Sequence, residues 1–308
     1  MTASATKTPA TSRAPGWQVW LALGTVYLVW GSTYLAIKVA IETLPSLAHA
    51  GVRFALAGLI LAAVLAVSRP AALRVSGPQL ATAGAVGVLL LGGNGLVVVA
   101  EEGVSSGLAA LLVAAVPLWI VVLRAVFGDR PARVTLVGVG VGFLGVAALL
   151  LPGGGGHTDL PHAALVVVAS LSWAGGSYLA TRRQMPANPF AATAYEMLFG
   201  GAVLLIAGLL RGELRTFTLA DVSARSGVAF GYLVVFGSLG AFTAYAWLLG
   251  NAPVSQVATY AYVNPAVAVL LGALVLGEAI TVNVLVGGLI ILASVAVVVA
   301  EEVRRGRH

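Results

Sequence analysis

The sequence has no cysteine and few charged residues, and both shortages limit what the chain can be. Without cysteine, the 308 residues cannot form a disulfide framework, a thiolate metal site or a catalytic thiol. Charged side chains make up only 9% of the residues, whereas soluble domains carry about 25%. The hydrophobic share is 59% and the mean hydropathy is +1.00, which excludes a soluble globular protein.

Motifs for metal, nucleotide or nucleic acid are also missing from the sequence. The four histidines have no zinc-ligand spacing, and the glycine run 153–156 is not followed by the Gly-Lys-Ser/Thr of a phosphate-binding loop. The isoelectric point near 10 would suggest nucleic acid for a soluble protein, but basic residues of membrane proteins usually lie in cytoplasmic loops. We therefore expect no metal, no other cofactor and no nucleic-acid partner.

Long apolar runs dominate what is present, and they indicate a lipid bilayer as the surrounding medium. Ten runs of about 20 residues are each bounded by charge, proline or glycine, as membrane-spanning helices are. None alternates with period two, so a β-barrel is excluded and an all-α integral membrane protein is predicted. The predicted spans are 17–37, 47–68, 80–100, 107–127, 134–151, 162–181, 190–210, 226–249, 257–276 and 281–300.

Basic residues predict the orientation of these spans. Ten spans put both termini on one side of the membrane, and that side receives twelve of the seventeen Lys and Arg residues. The positive-inside rule then makes both termini cytoplasmic, in a multi-pass protein of a bacterial inner membrane. The twelve residues are Lys7, Arg13, Arg69, Arg74, Arg124, Arg130, Arg133, Arg182, Arg183, Arg304, Arg305 and Arg307.

An internal repeat organises the ten spans into two halves. The segment 30–36 of span one resembles 173–180 of span six, about 143 residues later, and the same offset aligns 51–54 with 194–197. An offset of 148 aligns Pro117 with Pro265. Each half has five spans, an odd number, so the second half is predicted to be inverted relative to the first. The predicted units are a disordered tail (1–16), a first repeat (17–151), a linker (152–161), a second repeat (162–300) and a tail (301–308).

These motifs together resemble the EamA family of the drug/metabolite transporter superfamily. The resemblance lies in Trp-Gly-Ser-Thr-Tyr at 30–34, Gly-Val-Arg-Phe at 51–54, Tyr-Val-Asn-Pro at 262–265 and Gly-Glu at 277–278, and it extends from about Val19 to Ala300. It implies a ten-helix, five-plus-five basket around a central substrate cavity. It also implies a family whose members mostly export amino acids, metabolites or drugs.

Candidate site residues come from interrupted helices and from charges inside the spans. Pro117 and Pro265 free backbone carbonyls at matching places in the two halves, as binding sites of inverted-repeat transporters do. Arg53 and Glu196 each lie about 9 Å inside a span from opposite faces, so no salt bridge between them is expected. Arg53 could attract an anionic group or close an outer gate, and Glu196 could carry a proton. Either could instead be a structural charge.

Polar and aromatic residues on spans one, three, four, six, eight and nine have the character of a small-molecule pocket. About half could instead be interfacial belt or interhelical packing residues. Glu101 and Glu102 are expected to be a solvated helix end. The candidate cavity residues are Trp30, Ser32, Thr33, Tyr34, Arg53, Asn94, Pro117, Trp119, Trp173, Ser177, Tyr178, Glu196, Tyr245, Tyr260, Tyr262, Asn264 and Pro265.

The function predicted from the sequence is therefore secondary transport of a small organic solute by alternating access, and not enzymatic catalysis. The resemblance favours efflux, and protons could be a second partner. There are two alternatives: a membrane-embedded enzyme that acts on a lipid or isoprenoid substrate, and a passive facilitator. The enzyme would need paired aspartates for magnesium or a Ser/His pair, and neither is visible in the sequence.

Overall fold

Within the described residues, nine helices are long and apolar enough to cross a membrane, and a tenth, shorter apolar helix lies at the remaining predicted position. The computed structural model describes residues 16–151 and 159–305, and these two ranges contain helices and loops but no β-strand. Most of the predicted N-terminal tail and of the linker lies outside the described residues, whereas residues 301–305 of the predicted C-terminal tail continue the last helix. The spans are α1 (Gly16–Ala40), α2 (Ser46–Ser68), α3 (Gly77–Ala100), α4 (Ser106–Val126), α5 (Arg133–Leu150), α6 (Leu160–Arg182), α7 (Pro189–Leu210), α8 (Ala224–Asn251), α9 (Tyr260–Leu276) and α10 (Val282–Arg305).

Three of these spans are irregular. The span α4 consists of two helices, Ser106–Val113 and Val116–Val126. The span α8 contains a π-helical segment, Leu233–Gly240, that the sequence analysis did not predict. The span α9 is only 17 residues long, and a separate one-turn helix, Val254–Val257, precedes it. The predicted continuous span over 257–276 is therefore wrong at its start, because the helix is interrupted around Ala258 and Thr259.

Several spans begin with a polar capping residue at the point where the chain enters the membrane. At the start of α3, the Ser76 hydroxyl accepts from the Gln79 N–H, while the Gln79 side chain accepts from the Ser76 N–H at 3.0 Å. At the start of α7, the Asn188 side chain accepts from two backbone N–H groups, and Pro189 occupies the first helical position. Such caps satisfy the donors that a helix leaves free in its first turn.

Corresponding helices of the two halves pack against each other in opposite directions. Along the α2–α7 contact, Gly51 lies against Leu205 and Gly58 lies against Met197, so the two helices are antiparallel. The α5–α10 contact is antiparallel too, because Gly138 meets Val298 and Gly145 meets Ile291. Two equivalent helices can be antiparallel only if one half is inverted, which is the arrangement of inverted-repeat transporters.

The remaining helix contacts follow the same two-fold pattern. The contact between α3 and α6 corresponds to the contact between α8 and α1. The contact between α1 and α9 corresponds in the same way to the contact between α6 and α4. The centre of the bundle is therefore surrounded by α1, α3, α4, α6, α8 and α9. We call the side where α1 begins and α10 ends the terminal side, and the other the opposite side.

Candidate functional site

A central cavity of about 400 Å³ opens between the two halves. Its size and its mostly apolar lining are typical of pockets for small organic molecules. Twelve of the seventeen predicted site residues line it: Trp30, Thr33, Tyr34, Arg53, Asn94, Pro117, Trp173, Ser177, Tyr245, Tyr260, Asn264 and Pro265.

Five predicted residues do not line the cavity: Ser32, Trp119, Tyr178, Glu196 and Tyr262. The Ser32 hydroxyl lies 2.6 Å from the Tyr232 hydroxyl, between α1 and α8. The Trp119 indole donates to the Ser170 hydroxyl at 3.1 Å, between α4 and α6. These side chains connect neighbouring helices, the packing role that the sequence analysis kept open for about half of the candidates.

Tyr178 and Glu196 also lie at helix contacts. The Tyr178 ring stacks on Phe127 with 5.4 Å between ring centroids, at the terminal end of α4. Glu196 lies where α7 crosses α3, with its backbone directly against Gly87. Its carboxylate has no hydrogen-bond or ion-pair partner among the described residues, and it forms no salt bridge with Arg53.

An aromatic cluster forms one wall of the cavity. The Trp30 ring centroid lies 5.1 Å from that of Phe242, 5.2 Å from that of Tyr245 and 5.5 Å from that of Tyr260. Such rings offer a large apolar surface with polar handles at the edge. Phe242 is not among the residues predicted from the sequence, where its only signal is its position one turn before Tyr245 on α8.

The π-helical segment of α8 positions two of the predicted residues. The carbonyl oxygen of Gly237 accepts from the Trp30 indole at 3.2 Å, and the Ser238 hydroxyl accepts from the Arg53 Nε at 2.8 Å. π-Helical turns are rare and occur frequently at functional sites, because the widened turn redirects backbone and side-chain groups. This segment anchors α1 and α2 to α8 at the level of the cavity.

Arg53 carries a charge into the cavity lining without an acidic partner. Its side chain is 2% exposed, and one terminal guanidinium nitrogen has no hydrogen-bond partner. The other charged residues that line the cavity, Arg124 and Glu302, pair with each other at its edge. Among the described lining residues, Arg53 is therefore the cation without an acidic partner.

Interrupted helices supply backbone groups to the same cavity. Pro117 has no N–H for the carbonyl oxygen of Val113, and α4 is broken between these two residues. Pro265 in α9 likewise offers no N–H to Ala261. Val113, Pro117, Ala261 and Pro265 all line the cavity, so irregular backbone occurs where it faces the cavity.

The cavity is open towards the terminal side. Its lining there includes Arg124 near the end of α4, Leu249 near the end of α8, and Val298, Val299, Glu302 and Val303 near the end of α10. The residues of α10 in this lining were not predicted, because the sequence assigned the cavity to six spans that do not include α10. Towards the opposite side the lining stops at Ile37 on α1 and Val97 on α3, before either helix ends.

Carboxylates at helix starts close the opposite side. The Glu278 carboxylate accepts from the backbone N–H groups of Ser106 and Gly107 at 2.8 and 3.1 Å, fixing the loop after α9 to the start of α4. Glu213 accepts from the N–H groups of Leu47 and Ala48, fixing the end of α7 to the start of α2. A negative charge at a helix start is favourable, so both contacts stabilise the closed end.

The two glutamates after α3 differ, which corrects the prediction of a solvated helix end. Glu102 is solvent-accessible and pairs with Arg211 at 3.1 Å and with the Ser46 hydroxyl at 2.6 Å. Glu101 is 0% exposed and faces the protein interior.

The sequence profile of the EamA-like transporter family matches the chain twice, over residues 16–151 and 160–300. The "Uncharacterized inner membrane transporter YedA" of Escherichia coli is 41% identical over 281 residues, covering 90% of this chain and 89% of the relative. The "Probable terminal-alkyne amino-acid exporter" of Streptantibioticus cattleyicolor is 29% identical and covers 94% of this chain and 96% of its own. The "Probable amino-acid metabolite efflux pump" of Salmonella typhimurium is 27% identical, covering 87% of this chain and 90% of that pump.

A solved crystal structure shares the fold, with a TM-score of 0.63 at 18% identity, over 91% of this chain and 96% of the other. The helices, the repeat and these relatives agree on a multi-pass membrane protein. The chain therefore belongs to the EamA-like transporter family and is a transporter.

Proposed function

We propose that the protein is a secondary transporter that exports a small amphipathic carboxylate, such as an amino acid or a related metabolite, by alternating access. The observation that carries this proposal is the guanidinium of Arg53, which has no acidic partner and one terminal nitrogen without a hydrogen bond, in a mostly apolar and aromatic cavity that is open at one end.

The substrate class follows from the chemistry of the cavity. A buried cation without an acidic partner is costly, and a carboxylate is the group that a guanidinium binds best, through two parallel hydrogen bonds. The cluster of Trp30, Phe242, Tyr245 and Tyr260 would hold the apolar part of such a solute, while Asn94 and Asn264 offer amides for a polar substituent. A phosphorylated solute fits less well, because it would need several cations.

The names of two relatives agree with this substrate class. One is named a probable amino-acid exporter and another a probable amino-acid metabolite efflux pump, and both match nearly the whole chain. These names describe those proteins, and they support an amino-acid-like solute as the first class to test here.

The open end of the cavity supports export. The basic residues on the terminal side support a cytoplasmic location of that side by the positive-inside rule, and the cavity would then take up solute from the cytoplasm. No nucleotide-binding motif occurs in the sequence, so the transport would be driven by an ion gradient or by the gradient of the solute itself.

The proposal is tested by counterflow in liposomes that hold the purified protein. Vesicles are loaded in turn with unlabelled amino acids, N-acylated amino acids, nucleosides and organic cations, and uptake of the matching labelled solute is followed. We expect counterflow for apolar or aromatic carboxylic solutes and background uptake for organic cations, because Arg53 repels a second cation. Counterflow restricted to cations, or none for any solute, would contradict the proposal, and hydrolysis or modification of a lipid would support the membrane-enzyme alternative.

A further inference from the structure

Glu101 lies directly beneath the floor of the cavity, on the closed side. It follows the last residue of α3, and it comes seven residues after Asn94 and four after Val97, both of which line the cavity. Residues at these spacings share one face of a helix. The Glu101 side chain therefore continues the cavity-facing side of α3 towards the opposite side of the membrane.

The carboxyl group of Glu101 is buried without a partner. Its exposed fraction is 0%, and neither carboxylate oxygen has a hydrogen-bond partner among the described residues. An ionised carboxylate is strongly unfavourable in such a place, so the environment favours the protonated form of the group. The adjacent Glu102, by contrast, is accessible and paired with Arg211.

Lys38 is the nearby cation, but its ammonium group is engaged elsewhere. The Lys38 Nζ donates to the backbone carbonyl oxygen of Glu101 and, at 2.9 Å, to that of Val104. The Glu101 carbonyl caps the C-terminal end of α3, where the helix dipole attracts a positive charge, and Val104 lies in the loop that leads to α4. In this conformation Lys38 holds the turn after α3 and leaves the Glu101 carboxylate oxygens unpaired.

Other titratable groups surround this pair. Tyr34, one turn before Lys38 on α1, lines the cavity and lies within electrostatic reach of Glu101. Glu278, the carboxylate that closes the start of α4, acts on Glu101 from the loop after α9. On the aqueous face of the same turn, His162 lies against Gly103 and pairs with Asp159.

We propose that Glu101 is a proton-binding site, occupied in the conformation seen here, and that Lys38 is its counter-ion when the proton leaves. The proposal rests on the transport function proposed above and names the coupling ion. When the opposite side opens, the O–H bond of the Glu101 carboxyl breaks and the proton passes to water there. The carboxylate that remains pairs with the Lys38 ammonium group, which leaves the backbone carbonyls.

The electrostatics of the site agree with this assignment. Burial holds the pKa of the Glu101 carboxyl well above its usual range. The positive charge of Lys38 lowers this pKa, and the negative charge of Glu278 raises it. A raised pKa means that the closed end is most stable at low pH and loses stability as the pH rises through that pKa. Glu196, the proton carrier predicted from the sequence, lies on α7 outside the cavity lining.

The experiment is an infrared titration of the purified protein in liposomes without any solute, so it does not depend on the substrate. We expect the carbonyl stretching band of a neutral carboxyl group to persist above the usual titration range of glutamate. Glu101→Gln should remove this band, and the matched control Glu102→Gln should keep it. A band that survives Glu101→Gln, or that disappears only in Glu196→Gln, would overturn the proposal.

A second variant covers the case in which Glu101→Gln does not fold. Lys38→Gln removes the cation that favours ionisation, so the band should then persist to still higher pH. An unchanged titration in Lys38→Gln would contradict the pairing. Because no solute is present, failure of this test leaves the counterflow result untouched, and a failed counterflow experiment leaves the band assignment untouched.

Discussion

Replacing Arg53 with methionine should lower the affinity for carboxylic solutes by at least an order of magnitude and leave the folded protein at least as stable as the wild type. The two results follow from one observation, a buried guanidinium without an acidic partner. Losing one partner of a buried, hydrogen-bonded charge pair costs about 2–5 kcal/mol, which lowers solute affinity about 30-fold to 3,000-fold. The substitution loses the hydrogen bond to Ser238 and the contact with the Phe54 ring, but it also removes a buried charge that has no acidic partner. The relieved desolvation cost should offset these losses, so thermal unfolding in detergent should not occur at lower temperature.

The matched control is Arg183→Met, which removes an exposed arginine after α6 and should change neither affinity nor stability. Arg53→Lys keeps the charge but not the planar pair of donors, and it should restore only part of the affinity. A strongly destabilised Arg53→Met protein, or one with unchanged counterflow, would show that Arg53 is a structural residue.

Substituting Gly87 with alanine should prevent α3 and α7 from packing and reduce the yield of folded protein. A Cβ at this position would lie 2.3 Å from the backbone oxygen and 2.5 Å from the Cα of Glu196. These are backbone atoms of a neighbouring helix, so no side-chain rotation can relieve the overlap. Overpacking of this kind costs about 1–3 kcal/mol or more, and the thermal unfolding temperature in detergent should fall accordingly.

Gly92 provides the control on the same helix. A Cβ there meets no heavy atom within 4 Å, and alanine is a better helix former than glycine by about 1 kcal/mol. Gly92→Ala should therefore equal or exceed the wild type in stability. Equal behaviour of the two variants would mean that the close α3–α7 contact is not present in the folded protein.

Much of the fold was predictable because hydropathy and repetition are properties of the sequence alone. The apolar runs predicted the ten spans, and the match between 51–54 and 194–197 predicted that Arg53 and Glu196 occupy equivalent helices. The antiparallel α2–α7 contact explains why these two residues do not pair. Arg53 on α2 lies opposite the part of α7 around residue 203. Glu196 on α7 lies opposite the part of α2 around Leu59, which is about 10 Å further along α2 than Arg53.

The features that escaped prediction depend on tertiary contacts. The π-helical turn of α8 forms hydrogen bonds with Trp30 and Arg53, and no residue pattern in the sequence predicts it. Glu101 and Glu102 are adjacent and chemically identical, yet α1 buries one while Arg211 holds the other at the surface. Which side of the basket is closed also depends on distant pairs, such as Glu278 with Ser106.

The central claim, a cavity that opens alternately to the two sides, is tested most directly by thiol accessibility. The absence of cysteine allows Val97→Cys, at the closed end of the cavity, to be the only thiol in the chain. Without solute, a membrane-impermeant maleimide should label this cysteine from the terminal side. Labelling from the opposite side should rise when a transported solute is added, or when Glu278→Ala releases the start of α4. Labelling confined to the terminal side under all conditions would indicate a dead-end pocket. Equal labelling from both sides without solute would indicate an open channel. Either result would contradict alternating access.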